Sequence, residues 1–236
     1  MKQGHNEPVR AFSRISALVN NFNRAGLRAT EGTLRLETAL ASSASYTFQI
    51  NQNQSQVITA ISLRQGDAFI ATSIGLFLKK AGTSTSPTDA EQAVANLHTF
   101  PDPTVFTAAS EAANLNSIYN STLQLNINNN ILTQSLDTLR YKRVSTAQQG
   151  LAVSTAATNN TYFQSAWETA DYGFMTFNQA IAFNGQANNT VQLSLPTGVN
   201  CAGTSSVNYA VLMFRGVLII NGADMVKDAS MKSFIR

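Results

Sequence analysis

The sequence predicts a mainly β protein, an antiparallel sandwich preceded by one helix. Three observations predict it: a helical period confined to the N-terminus, a two-residue period beyond about residue 37, and two runs that are apolar on both faces. In the first segment, Val9, Phe12, Ile15, Val19 and Phe22 recur every three or four residues between Pro8 and Arg24, which gathers them on one side of a helix. Arg10, Arg14, Asn21, Arg24 and Arg28 follow the opposite side. Pro8 suits a first helical turn, and Gly26 suits the position just past a last one. Residues 1–36 are expected to form a basic amphipathic helix or arm, and residues 37–236 the β domain.

In the second region, large apolar residues alternate with polar ones at Tyr46, Phe48 and Ile50, at Val57, Ile61 and Leu63, at Leu123, Leu125 and Ile127, and at Val191, Leu193 and Leu195. Each set predicts a strand with one buried face. Asn184-Gly185 stands between Ile181-Ala182-Phe183 and the strand ending at Leu195, and Asn-Gly readily takes the positive φ angles of a hairpin turn, so a hairpin is expected there. The two-faced runs, Ala68 to Leu78 and Tyr209 to Ile220, read as central strands covered on both sides. Gly75 and Gly216 interrupt them, a position that marks a bulge, bend or close backbone approach. The stretches 81–91, 100–113 and 145–161 carry little β character and read as long surface loops.

One core is the simpler expectation for 236 residues, of which 44% are hydrophobic and only 12% charged. Asn, Gln, Ser and Thr supply the polar surface instead. Such a surface costs less to desolvate than a charged one and suits extensive permanent contacts, although the same residues also fill β-turns. The net charge of +3 is placed unevenly: residues 1–36 hold Lys2, Arg10, Arg14, Arg24, Arg28 and Arg35 against Glu7 and Glu31. The arginines could meet phosphates of nucleic acid or lipid headgroups, while the apolar stripe could dock on its own domain, on a neighbouring copy or at a lipid surface.

One cysteine, Cys201, leaves no intramolecular disulfide. No signal peptide is expected, and the apolar runs are shorter than the roughly 20 residues a membrane-spanning helix requires, so a soluble chain made in a cytoplasm is the reading. Catalytic patterns are equally sparse. Cys201 with His5 or His98 is the one thiol and imidazole combination on offer, and no local signature accompanies it. Glu168 and Asp171 near Trp167 and Tyr172 are the nearest approach to a carboxylate pair. Neither is taken as a catalytic site, and no metal or cofactor motif is present.

Taken together, the basic arm at 9–28, the strand-rich body, the Ser/Thr/Asn/Pro loops and the two apolar strands resemble the jelly-roll capsid proteins of small tailless bacteriophages with icosahedral, sometimes lipid-containing shells. The resemblance implies a single jelly roll whose two apolar strands lie in opposite sheets. It implies a structural, non-enzymatic virion subunit that binds other copies of itself and other capsid proteins. In that setting Lys2, Arg10, Arg14, Arg24 and Arg28 would face the viral genome or a lipid membrane. The alternative is a carbohydrate- or receptor-binding module of a fibre or surface structure, using the aromatics Tyr162, Trp167 and Tyr172.

Overall fold

Alternation of large apolar and small polar side chains gives each half-buried strand one inward face, and the computed structural model, which describes residues 7–51, 58–127, 130–144 and 173–226, builds two antiparallel sheets from such strands. The described elements run α1 (Glu7–Arg24), β1 (Arg28–Ala39), β2 (Ser42–Gln49), β3 (Ala68–Ala81), α2 (Asp89–Val94), β4 (Leu97–His98), α3 (Glu111–Tyr119), β5 (Thr122–Ile127), β6 (Asn130–Asp137), a 3-10 turn (Thr138–Tyr141), β7 (Phe174–Asn184), β8 (Asn189–Asn200), β9 (Val207–Ile220) and a helical turn (Ala223–Val226). One sheet orders β1-β9-β3, with β4 and β7 on the far side of β3; the other orders β2-β8-β5-β6. Apart from the short β4, the strands pair first with last: β1 with β9, β2 with β8, β3 with β7 and β5 with β6. The chain is thus a long hairpin wrapped into two layers, each closed by one further pairing, β9 with β3 and β8 with β5.

Both sheets feed one core. Leu34, Leu36, Phe69, Ile74, Leu76, Leu212 and Phe214 from the first layer join Tyr46, Phe48, Leu123, Leu125, Val191 and Leu193 from the second. The alternating sets at 46–50, 123–127 and 191–195 therefore supply inward faces as expected. The set at 57–63 does not form a strand among the described residues: Val57 lies outside them, Ile61 is exposed, and Ile61 and Leu63 make only isolated bridges, to Arg35 and Asn51.

The two-faced runs become β3 and β9, in which Ile220 alone is exposed and most residues are buried. They do not lie in opposite sheets. They are direct neighbours, in register from Ala68↔Ile219 to Ala81↔Val207. The reason is coverage: strands apolar on both sides need a sheet covered on both sides, and pairing them together lets one cover serve both. Part of that cover is α1, whose Ile15, Leu18 and Phe22 pack on Ala68, Ile70, Ala180, Val217 and Ile219. The helix stops where its backbone is turned by Gly26 at φ +81, with Leu27 N–H donating to Phe22 O and Gly26 N–H to Asn23 O, both at 3.1 Å. β1 then begins at Arg28, so the expected division between residues 36 and 37 falls inside a strand.

The Asn184-Gly185 hairpin is also overturned. β7 pairs with β3 in one sheet, whereas β8 pairs with β2 and β5 in the other, so residues 184–189 turn a corner between layers. Gly185 keeps a negative φ; its need is space, because a Cβ there would lie 2.7 Å from Asp67 O. Asn side chains satisfy the corner: Asn184 Nδ2 donates to Ala223 O (2.6 Å), and Asn189 Nδ2 donates to Asn184 O (2.7 Å) and Asn51 Oδ1 (3.2 Å). Two expected loops carry helices, α2 started by a Thr88/Glu91 capping box and α3, which sends Leu115, Ile118 and Tyr119 into the core. Phe106 in the 100–113 stretch is buried in the same core, and the 145–161 stretch lies outside the described residues.

Gly216 sits opposite the bulge that inserts Thr72 between Ala71 and Ser73, which moves the inward set of β3 from Phe69 and Ala71 to Ile74, Leu76 and Leu78. A Cβ at Gly216 would press on the carbonyl oxygen of Ile70. Gly216→Ala is expected to cost about 1–3 kcal/mol in chemical denaturation, the scale of overpacking in a filled core. A neutral substitution would mean that the bulge relaxes freely.

Candidate functional site

Of the positions expected to meet phosphate, Arg14, Arg24 and Arg28 have described side chains. Lys2 lies outside the described residues, as does the Arg10 side chain. Arg14 turns back against the β body, where Nη1 donates to Phe177 O of β7 at 2.9 Å. Arg24 and Arg28 are exposed on either side of the Gly26 turn. From Ser13 on, the other exposed residues of α1 are Ser13, Ser16, Ala17, Asn20, Asn21 and Asn23. Among the described residues no helix is long and apolar enough to cross a membrane.

The thiol and the imidazole have separate surroundings. Cys201 is buried beside Ser117 Oγ and Asn114 O, each at 3.6 Å, and burial pushes its thiol up from the ordinary value. His98 stacks edge-on against Phe106, with ring centroids 5.7 Å apart, and burial lowers its pKa despite the nearby Asp102. A thiol held protonated is a poor nucleophile. Tyr162, Trp167, Glu168, Asp171 and Tyr172 lie outside the described residues. Among the described residues no group of three or more His, Cys, Asp or Glu is gathered to hold a metal ion.

Two groups of charges in the larger sheet are engaged within the fold. Glu37 and Lys79 have fully buried side chains and form an ion pair; Arg35 Nε lies 2.6 Å from Glu37 Oε1, Thr59 Oγ1 donates to the same oxygen, and Lys79 Nζ stands 4.6 Å from the Tyr209 ring centroid. Burial lowers the Lys79 pKa against the pull of Glu37. A second group joins Lys80 Nζ to Glu111 Oε2 (3.0 Å), and Asn208 Nδ2 to Glu111 Oε1 (2.8 Å).

The smaller sheet is built differently. Its four strands contain one charged residue, Asp137 at the end of β6. Away from the core it presents three cross-strand rows: Ser45, Ser194 and Thr122; Thr47, Gln192 and Gln124; Gln49, Thr190 and Asn126. None of these side chains is buried. Strand geometry spaces them about 4.8 Å across the sheet and about 6.7 Å along it. Neighbours bond within the rows and along β5, Asn126 Nδ2 to Thr190 Oγ1 at 3.5 Å and Gln124 Nε2 to Asn126 Oδ1 at 3.3 Å. The result is a continuous field of neutral donors and acceptors, able to hydrogen-bond a broad partner without stripping water from ions.

In comparisons with known proteins, no family and no curated protein matches this chain. Sequence reasoning missed the rows as a unit, although each contributor sits at the polar alternate positions of a strand recognised by its apolar ones; the register that aligns them was not readable. It also missed the Glu37 and Lys79 pair. The available signal was a lysine closing a run otherwise free of polar bulk.

Two outcomes follow from the buried groups. Glu37→Gln removes the counter-charge of Lys79 and is expected to cost about 3–5 kcal/mol in chemical denaturation, with much of that recovered when Lys79→Met is added. His98 has a folded pKa below its unfolded value of 6.5, so the unfolded chain binds the extra proton and stability falls as pH drops below about 6.5. The acid-side slope of stability against pH should be shallower in His98→Gln; an unchanged slope would assign the loss to other groups.

Proposed function

We propose that the chain is a structural subunit of a viral capsid or shell, working by self-association and not by catalysis, within a virion of the small tailless bacteriophage kind. The observation that carries this reading is the charge-free face of β2, β8 and β5. Permanent contacts favour such surfaces, because Lys, Glu and Asp are depleted where water is excluded.

The strand order supports the finer fold reading. First-with-last pairing in two layers is the arrangement of a jelly roll, an architecture used by capsid proteins, lectins and cupins. Fold alone does not choose among these uses, and the neutral face is what favours assembly. Arg24 and Arg28, with Lys2 and Arg10 on the same arm, are the groups suited to genome or membrane; Arg14 serves the anchoring of the arm. A carbohydrate-binding module is the second reading, since amide and hydroxyl rows also suit sugars.

Electron microscopy and sedimentation of the full chain at rising concentration test the proposal. Closed particles are expected, and Gln192→Lys, a charge at the centre of the neutral face, should abolish them while leaving the thermal midpoint within a few degrees of wild type. A chain that stays monomeric at every salt and pH would overturn the reading, and glycan-array binding by that monomer would favour the second one.

A further inference from the structure

We infer that the side chains of Lys80 and Asn208 are placed to close an amide bond between them, with Glu111 moving the protons and ammonia as the leaving group. The inference stands apart from the shell reading, since it concerns a bond within one subunit.

Lys80 of β3 and Asn208 of β9 are directly opposite each other in the central pairing. Residues so placed share one face of the sheet, with Cβ atoms about 4.5–5.5 Å apart. Glu111, at the start of α3, reaches both of them. Its Oε2 accepts from Lys80 Nζ at 3.0 Å, and its Oε1 accepts from Asn208 Nδ2 at 2.8 Å. An amine, a carboxamide and a carboxylate that touches both supply a nucleophile, an acyl group with its leaving group, and a proton carrier. Ser110, which leads into α3, has φ +65, one of two non-glycine residues in the left-handed region among those described. Backbone held in that region is costly and is often found where a side chain must be aimed.

The surroundings suit a reaction better than a plain ion pair. Asn208 is fully buried, and its Nδ2 donates a second time, to Cys201 O at 3.1 Å, which fixes the amide plane. Its Oδ1 is buried with no hydrogen-bond partner among the described residues. An asparagine kept only to complete a buried charge network would be expected to use both ends of its amide. Burial raises the Glu111 pKa, but hydrogen bonds from Asn208, Lys80 and Ala108 N outweigh it and leave the group below its ordinary value, as a carboxylate able to take a proton. Lys80 Nζ stands 5.7 Å from the centroid of the buried Phe106 ring. Poor access of water there protects the product from hydrolysis.

The step balances without a co-reactant. Glu111 takes one proton from the Nζ ammonium through Oε2, and the freed lone pair forms the bond from Nζ to Cγ of Asn208. The bond from Cγ to Nδ2 then breaks, its electron pair going to Nδ2, while a second Nζ proton reaches Nδ2 by way of the carboxyl group. Ammonia departs and carries off the proton left on Glu111 as ammonium. With no donor on Oδ1 to steady the developing negative charge, the bond forms slowly and once per chain. It clamps β3 to β9 one pair from the last in their ladder, Ala81↔Val207.

Mass spectrometry of the purified full chain tests the inference. The intact mass should fall by one ammonia, and after digestion the peptides holding Lys80 and Asn208 should emerge joined, with trypsin no longer cutting after Lys80. The joined pair distinguishes this bond from ring closure at Asn208 alone, which sheds the same ammonia. Lys80→Arg keeps a cation beside Glu111 and removes the nucleophile. It should show neither change and should migrate differently from wild type in a denaturing gel, because a link between residues 80 and 208 constrains the unfolded chain. Glu111→Gln should slow bond formation about a hundredfold, the scale of a lost proton carrier, with an unchanged far-ultraviolet circular dichroism spectrum. Folded wild type whose two peptides stay separate after prolonged incubation would overturn the inference, and a bond that forms as fast in Glu111→Gln would overturn the part given to Glu111.

Discussion

The pairing of β3 with β9 is the constraint from which the rest of the architecture follows. Two long strands with almost no exposed side chain lie side by side, and neither could face water on either side without exposing a continuous apolar surface. One face is met by the shared core. The other requires a cover, and α1 supplies part of it through Ile15, Leu18 and Phe22. The amphipathic helix is therefore spent on the body of the protein. With both two-faced strands in one sheet, the other sheet is left with simple alternation and an outer face free for other uses.

Charge follows the same division. In the larger sheet, Glu37 and Lys79 are paired inside the molecule, where the low dielectric makes each indispensable to the other, and Lys80 reaches Glu111 of α3. The smaller sheet holds almost none. A surface of hydroxyls and amides keeps a β protein hydrated while lowering the cost of losing that water to a partner. Fold and surface chemistry thus divide the molecule: the covered sheet secures the body, and the other sheet presents a neutral outer face.

Much of the secondary structure was legible because burial imposes periodicity on single strands. Tyr46, Phe48 and Ile50, or Val191, Leu193 and Leu195, announce their inward faces without any knowledge of their neighbours. Partnership is a different kind of information. Nothing local in Ala68 to Leu78 says that its mate is Tyr209 to Ile220 in the same sheet, and nothing local in Asn184-Gly185 distinguishes a hairpin from a corner between layers. Ile61 shows the converse error, an apolar residue in a plausible pattern that lies exposed along the edge of β1. The candidate face was hidden for the same reason, since Thr47, Gln192 and Gln124 become one row only after three strands are aligned. Arg14 looked free on a helical wheel; its carbonyl partner on β7 is a tertiary fact.

First-with-last strand pairing also sets an order in time. Arg28 faces Ile220, so the first strand to leave the ribosome waits for the last one before it has a neighbour on that side. Contacts so distant along the chain make for slow folding, because the loop must close before the pairing returns any stabilisation. A nascent chain therefore cannot complete the larger layer before β9 is made, nor the smaller one before β8.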